Sequence, residues 1–166
     1  MAPASFGSSV TWNLNNVTFS DAATASGSFV FDADTQTLSD WNISVTSGTL
    51  SAFTYTPADS AAGSYFQVSG YQNELLFMVN GSTRQLRMTP LTALTDAGGA
   101  VDINLNTFGG GSGSVECYNC GPYREIVSGS FATAIPEPGS LGCFGLGLVG
   151  AGFFARRFRN RLKKQA

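Results

Sequence analysis

An alternation of apolar and polar residues recurs along most of the chain and constrains the fold more than any other feature. Because successive side chains of a β-strand point to opposite faces, a period of two is typical of a strand with one buried face. The alternating apolar positions are Val10, Trp12 and Leu14; Phe29 and Phe31; Trp41, Ile43 and Val45; Leu75, Phe77 and Val79; and Val101, Ile103 and Leu105. The pattern predicts many short β-strands.

Turn-forming residues separate these segments. Asn80-Gly81 stands between LLFMV and RQLRM and is a strong hairpin signal, because both residues tolerate a positive φ. Further turn formers are Asp32 to Asp34, Pro57-Ala58-Asp59 and Gly109 to Gly111. With no convincing amphipathic helix before residue 135, the sequence predicts an all-β fold, an antiparallel β-sandwich-like domain.

Length and charge narrow the class of protein. The 166 residues suffice for one domain with a hydrophobic core plus terminal appendages. Up to Ile135 the chain has three arginines and ten acidic residues, and such a surface repels a phosphate backbone. We therefore expect no nucleic-acid partner for this part. Six of the nine basic residues lie in the last eleven positions and need a separate explanation.

The C-terminal segment has the order expected of a membrane anchor. Residues 139–155, GSLGCFGLGLVGAGFFA, are uncharged and at the short end of what spans a bilayer as a helix. RRFRNRLKK follows at once, and positive charge beside an apolar span favours the cytoplasmic side. A buried core helix is the alternative, but the six glycines of the run each cost roughly 1 kcal/mol in a helix in water. We expect one transmembrane helix, with everything before Gly139 outside the cytoplasm.

Pro136-Glu137-Pro138 stands directly before this span. Two prolines around one residue prevent helix continuation and hold the chain extended, as a stiff connector between domain and membrane. The tripeptide, the apolar span and the arginine-rich end, in this order, closely resemble the PEP-CTERM sorting signal of Gram-negative bacteria. The matching residues are Pro136, Glu137 and Pro138 for the motif, residues 139–155 for the span, and Arg156, Arg157, Arg159 and Arg161 for the basic tail of residues 156–166.

The resemblance implies a partner and a location. In that family an exosortase, a membrane enzyme, recognises the signal and is thought to cut near the PEP motif, and the proteins are associated with extracellular polysaccharide and biofilm. We therefore expect a domain at residues 1–134, exported and held at the envelope membrane or released after processing, and a sorting signal at residues 135–166. Such proteins begin with a charged and then an apolar segment. MAPASFGSSV has neither, so we expect that this start is trimmed or miscalled and that a signal peptide precedes it.

The domain itself resembles a subset of PEP-CTERM ectodomains. The segment GSFVFDADTQTLSDWNISVTSGTLSAFTY, at residues 27–55, has their Gly-x-Phe-x-aromatic-Asp strand, Thr-rich turn and Ser-x-Trp-x-Ile strand. CYNCGPYREIVSGS, at residues 117–130, extends the likeness over much of the chain. These ectodomains imply no activity for this one.

Cys117-Tyr118-Asn119-Cys120 has a CxxC spacing that fits several kinds of chemistry. A redox pair needs its first thiol at a helix N-terminus, whereas Gly121-Pro122 favours a loop here. A zinc site needs four ligands, and the chain has no histidine and one further cysteine, Cys143, which lies in the apolar span. A disulfide that closes a loop fits an exported protein best, followed by free thiols and, last, by a redox or metal pair.

Other candidate sites have simpler explanations. Asp32, Asp34 and Asp40 offer calcium oxygen ligands, but the EF-hand pattern is missing and turn residues more often bond their own backbone. Tyr65 and Tyr71 are flanked by Gly and Ser and are candidates for stacking on a ligand, although alternating aromatics are more often core. The absence of histidine excludes Ser-His-Asp and Cys-His catalysis. We expect no enzyme, no cofactor and no metal.

Two functions of different classes remain in view. The first is a structural protein of the surface or extracellular matrix, in exopolysaccharide or biofilm. The second is a lectin-like carbohydrate-binding module at the cell surface. A hydrolytic enzyme ranks last, because no pair of carboxylates stands apart from turn chemistry.

Overall fold

The computed structural model describes residues 9–65, 74–105, 113–119 and 121–133, with the backbone alone at residues 64 and 65. Within these ranges the chain forms strands and turns and no helix. The ten strands are β1 (Val10–Phe19), β2 (Thr24–Asp32), β3 (Thr37–Val45), β4 (Phe53–Tyr55), β5 (Ser60–Tyr65), β6 (Glu74–Val79), β7 (Arg84–Met88), β8 (Ala100–Asp102), β9 (Val115–Tyr118) and β10 (Tyr123–Thr133). The all-β prediction is confirmed.

All the strand pairs are antiparallel and form one continuous hydrogen-bonded path in the order β4-β3-β2-β1-β10-β9-β7-β6-β5. The long strand β10 joins the two halves of this path. Its C-terminal part pairs with β1 on one side and with β8 on the other, and its first residues, Tyr123 to Glu125, pair with β9. The antiparallel prediction is therefore confirmed as well.

The two halves of the sheet path face each other across one core. Phe29 on β2 and Trp41 on β3 both contact Phe77 on β6, with ring centroids 6.1 Å apart in each pair. Phe29 also packs edge-on against Phe131 of β10, at 5.6 Å. Each large apolar side chain removed from water in this way contributes about 1.5–3 kcal/mol. Burial of the alternating positions is therefore what holds the two halves together.

A bulge shapes the pairing of β1 with β10. The register passes from Asn15 opposite Ser130 to Thr18 opposite Ser128, and Asn16 adopts a φ of 51°. Gly129 has a φ of 137°, and a Cβ atom placed there would lie 2.7 Å from Cγ2 of Val17. Glycine is required at this position both by its backbone conformation and by the close approach of β1.

The alternating positions fall on strands as the sequence predicts, with the exceptions of Ile103 and Leu105, which lie beyond the end of β8. Trp12, Phe29, Ile43 and Phe77 are all buried, whereas Leu105 is 47% exposed. The strand pairing of β8 ends at Asp102, and Ile103 makes an isolated bridge to Pro90, so the pleat does not continue to Leu105. The hairpin predicted at Asn80-Gly81 is present between β6 and β7, with Gly81 at a φ of 66°.

The predicted transmembrane helix at residues 139–155 lies outside the described part of the chain. Among the residues that the structure does describe, none belongs to a helix long and apolar enough to cross a membrane. The division into residues 1–134 and 135–166 stays a prediction.

Candidate functional site

Strand β10 carries the chain towards the predicted sorting motif. It ends at Thr133, three positions before Pro136. From Ser130 to Ala132 the strand pairs with β1 on one side and with β8 on the other. The polypeptide that leads to the motif is therefore held by the centre of the sheet and not by a free edge.

The end of β10 is fixed by Thr133. Its backbone N–H donates to the carbonyl oxygen of Gly99 at 2.9 Å, and the N–H of Gly99 donates to the Thr133 hydroxyl oxygen at 2.8 Å. On its other side Thr133 stands opposite Trp12 of β1, which is fully buried. These contacts order the backbone up to Thr133.

Most of the residues predicted as sites lie outside the described residues. These are the motif residues Pro136, Glu137 and Pro138, the tail residues Arg156, Arg157, Arg159 and Arg161, and also Tyr71 and Cys120. Tyr65 is the last residue of β5, where its backbone stands opposite Glu74. Their roles in sorting and ligand stacking stay predictions.

Cys117 lies in β9 and is fully buried. The side-chain amide of Gln85 on the neighbouring strand β7 donates to its sulfur atom at 3.3 Å. The disulfide predicted between Cys117 and Cys120 stays a prediction, because Cys120 lies outside the described part.

The acidic turn between β2 and β3 bonds its own backbone. Asp32 accepts a hydrogen bond from the N–H of Thr35 at 2.9 Å, and this bond is the main reason that its pKa falls below the ordinary 3.8. Asp40 is exposed on β3. Across the described residues, no three histidine, cysteine, aspartate or glutamate side chains come together in a group suited to a metal ion.

A buried cluster of charged side chains is the feature that the sequence analysis missed. Glu116 of β9 is fully buried between Arg84 of β7 and Arg124 of β10. Its Oε1 atom accepts from Nε and Nη2 of Arg84 at 2.9 and 2.7 Å. Its Oε2 atom accepts from Nε of Arg124 at 2.7 Å and forms an ion pair with Nη2 at 2.5 Å. We call these three residues the Arg-Glu-Arg cluster.

The cluster also fixes the loop between β3 and β4. Arg124 donates to the carbonyl oxygen of Thr46 at 3.0 Å, and Arg84 donates to that of Ser51 at 2.6 Å. Both guanidinium groups stack on aromatic rings, that of Arg124 over Phe19 at 4.3 Å and that of Arg84 over Phe53 at 5.2 Å. Residues 46–51 are thereby tied to β7, on the other half of the sheet path, and to the N-terminal end of β10.

Tyr55 and Asp21 also contact the Arg-Glu-Arg cluster. The hydroxyl of Tyr55 donates to Oε1 of Glu116 at 2.8 Å, and burial together with the Glu116 charge raises the pKa of Tyr55 far above its ordinary value. Asp21 is an ion-pair partner of Arg124 at 3.5 Å. Burial acts to raise the pKa of Asp21, but bonds from the N–H groups of Thr49 and Ala23 outweigh burial and lower it.

The third arginine of the described domain is paired as well. Nε of Arg87 lies 2.7 Å from Oε1 of Glu74, whose pKa is raised by burial against the opposing effect of Arg87. All the arginines in the described ranges therefore have a carboxylate partner. The two pairs of Glu116, with Arg84 and with Arg124, are buried, whereas the Arg87 side chain is partly exposed.

The comparisons with known proteins match the end of the chain. The family model described as PEP-CTERM protein-sorting motif matches residues 134–159. No curated protein and no solved structure gives a significant match.

Together the β domain and this C-terminal match define a class: an exported β-domain protein that a C-terminal signal sorts. The chain carries a PEP-CTERM protein-sorting motif, the signal on which an exosortase, a membrane enzyme, acts.

Proposed function

We propose that this chain is a non-catalytic structural protein of the cell surface or extracellular matrix. The observation that carries the proposal is the sorting motif, which begins at residue 134, directly after the last residue of β10. An N-terminal signal peptide exports the chain, and the span at residues 139–155 then anchors it transiently. The exosortase cuts near residues 136–138, and the domain remains in exopolysaccharide or biofilm.

Cleavage breaks one peptide bond near the motif. The amine side of that bond stays with the membrane span. The acyl group stays on the domain and is transferred to water, which gives a carboxylate, or to an amine, which gives a new amide. The domain that results contains no lysine and three arginines, and all three are paired with carboxylates. Its net charge is negative, which favours solubility and disfavours adhesion to anionic membranes.

Packing within the domain supports a structural role over a catalytic one. The Arg-Glu-Arg cluster joins β7, β9 and β10, and it also binds the loop before β4. Removal of one member of a buried ion pair typically destabilises a protein by about 3–5 kcal/mol, because the other charge is left buried without its partner. The charged side chains of the cluster are engaged with one another and with the loop inside the domain, which favours a structural role over a catalytic one.

The structural role is tested in the native host by deletion of the gene and re-expression of two chains. Full-length protein should restore the cohesion of the extracted matrix and should be recovered from it. A chain that stops after Thr133 keeps the whole described domain but loses the motif, and it should restore neither property. A matrix that keeps its cohesion after deletion would contradict the proposal.

A lectin-like module is the second candidate, and a row of polar side chains on the outer face of the sheet favours it. Asn13, Ser28 and Asn42 stand opposite one another across β1, β2 and β3. Short amide and hydroxyl side chains at neighbouring positions offer the hydrogen bonds that sugar hydroxyls need. Binding to a glycan array that disappears in both Asn13→Ala and Asn42→Ala would favour this candidate. Tyr65→Ala and Tyr71→Ala test the predicted stacking residues in the same assay.

A further inference from the structure

The covalent distance between the folded domain and the sorting motif is short. Thr133 is the last residue of β10, and Pro136 follows three positions later. Three extended residues span at most about 11 Å. A folded part of about 125 residues has a radius of gyration of about 14 Å, larger than this tether. An enzyme that acts at the motif therefore has to work beside the domain, unless the end of β10 opens.

The end of β10 is closed by a turn that fits against Thr133. Gly98 has a φ of 68°, and a Cβ atom placed on it would lie 2.6 Å from the hydroxyl oxygen of Thr133. Three hydrogen bonds join Gly99 and Thr133. The Gly99 N–H donates to the Thr133 hydroxyl oxygen at 2.8 Å, and the Gly99 carbonyl oxygen accepts from the Thr133 N–H at 2.9 Å and from its hydroxyl at 3.4 Å. The same turn is attached to the rest of the domain by Asp96, which accepts from the N–H of Ala33 at 2.9 Å. We call Thr133 and the Gly98-Gly99 turn the Thr133 latch.

We propose that the Thr133 latch positions the sorting motif and limits the rate at which it is processed. This inference rests on the proposed processing by an exosortase. When the latch opens, β10 detaches as far back as the bulge at Gly129, where its regular pairing with β1 is interrupted. This opening also breaks the pairing with β8 and exposes the buried ring of Phe131, so the open state is rare. Residues 130–133 then join the tether and add about 14 Å of reach. With the latch closed, the covalent reach from Thr133 to Pro136 is at most about 11 Å, and opening extends this limit.

The rate of processing should follow the population of the open state. When a segment opens and closes faster than it is cut, the rate of cutting is proportional to the fraction of molecules that are open. Loss of one neutral hydrogen bond changes such a population by about fivefold. The hydroxyl of Thr133 makes its short bond with the N–H of Gly99, so its removal should have an effect of this size.

The experiment follows processing of the full-length chain by pulse-chase in its host, with mass spectrometry of the C-terminus. Thr133→Val keeps the shape and the strand preference of the side chain but removes the hydroxyl, and processing should be about fivefold faster. Thr133→Ser keeps the hydroxyl and should behave as wild type. Thr54→Val is the matched control, because the Thr54 hydroxyl on β4 bonds Ser44 and lies outside the latch. It should leave the rate unchanged.

Two glycines provide a second and independent comparison. Gly98→Ala and Gly81→Ala impose the same backbone strain, since their φ values are 68° and 66°. A Cβ atom at Gly98 collides with Thr133, whereas a Cβ atom at Gly81 has nothing within 4 Å. Processing should be faster in Gly98→Ala than in Gly81→Ala.

An insertion separates positioning from general destabilisation. Gly-Ser-Gly-Ser between Ala134 and Ile135 lengthens the tether by about 14 Å and leaves the latch intact. Processing should become faster, and Thr133→Val should then add nothing, because reach no longer limits the rate. If the wild type is cut at the motif while the insertion and Thr133→Val leave its rate unchanged, the latch proposal is overturned. If none of the chains is cut, including the one with the insertion, the proposed processing by an exosortase is wrong, and the latch proposal that rests on it is wrong as well.

Discussion

At the scale of single residues, Glu116 is the side chain whose loss should cost most. It is fully buried and accepts hydrogen bonds from Arg84, Arg124 and Tyr55. Glu116→Gln leaves two buried guanidinium groups without their shared counter-charge, so the free energy of unfolding should fall by about 3–5 kcal/mol. Denaturant unfolding measures this change.

The matched control for that substitution is Asp40→Asn, which makes the same chemical change on the exposed face of β3. It should alter stability by less than about 0.5 kcal/mol. Equal effects of the two substitutions would contradict a structural role for the Arg-Glu-Arg cluster.

Asp21 gives the domain a stability that depends on pH. Its pKa lies below the ordinary 3.8, because the bonds from the N–H groups of Thr49 and Ala23 outweigh burial. A lowered pKa stabilises the folded state above the ordinary value, and the effect disappears as the pH falls through the folded-state pKa. The difference in unfolding free energy between wild type and Asp21→Asn should therefore be largest near neutral pH and shrink below pH 3.8. A difference that stays constant down to pH 2 would contradict this account.

At the scale of the strands, Trp41 joins β3 to β5 across the two ends of the sheet path. Its indole N–H donates to the hydroxyl of Ser60 at 2.9 Å, while its ring packs on Phe77. Trp41→Phe keeps an aromatic ring but loses the hydrogen bond, so stability should fall by about 1 kcal/mol from that bond. A double-mutant cycle with Ser60→Ala isolates the pair. Additive effects would show that the bond contributes nothing.

Local patterns predicted β1, β2, β3, β6, β7 and β8 and the hairpin of β6 with β7, but not the pairing of strands far apart in the sequence. Arg84, Leu86 and Met88 occupy alternate positions of β7 and are all buried. The alternation alone therefore places Arg84 on the core face of the strand. An arginine at a core position requires a buried acid, and this signal was available in the sequence. Its partner Glu116 lies 32 residues further on, and Tyr55 lies 61 residues before Glu116. The pairing of β9 with β7 and β10 brings the arginines to Glu116, and the packing of β4 across the core brings Tyr55. No local periodicity records these contacts.

At the scale of the whole molecule, the basic tail is expected to set orientation. Replacement of Arg156, Arg157, Arg159 and Arg161 by Gln removes the positive charge beside the span, so insertion or retention should be disturbed. The same four positions changed to Lys keep the charge and should leave localisation as it is. Fractionation of the envelope measures both. Normal localisation of the Gln variant would count against sorting by this segment.

The two parts of the chain differ in how far the sequence reveals them. The sorting motif is a short linear signal, so its residues, order and spacing are sufficient for its recognition, and the match at residues 134–159 agrees with that expectation. The activity of a β domain depends on side chains brought together from several strands and loops. Two of the predicted ligand-contacting or pairing residues, Tyr71 and Cys120, lie outside the described part, so the role of the domain stays a proposal.

The most direct test of the central claim is fractionation of the full-length protein from its own host, with mass spectrometry of its C-terminus in every fraction. Export and sorting predict an envelope or extracellular form whose chain ends near Pro136 to Pro138. An intact, soluble protein confined to the cytoplasm, with residues 139–155 still attached, would contradict the account.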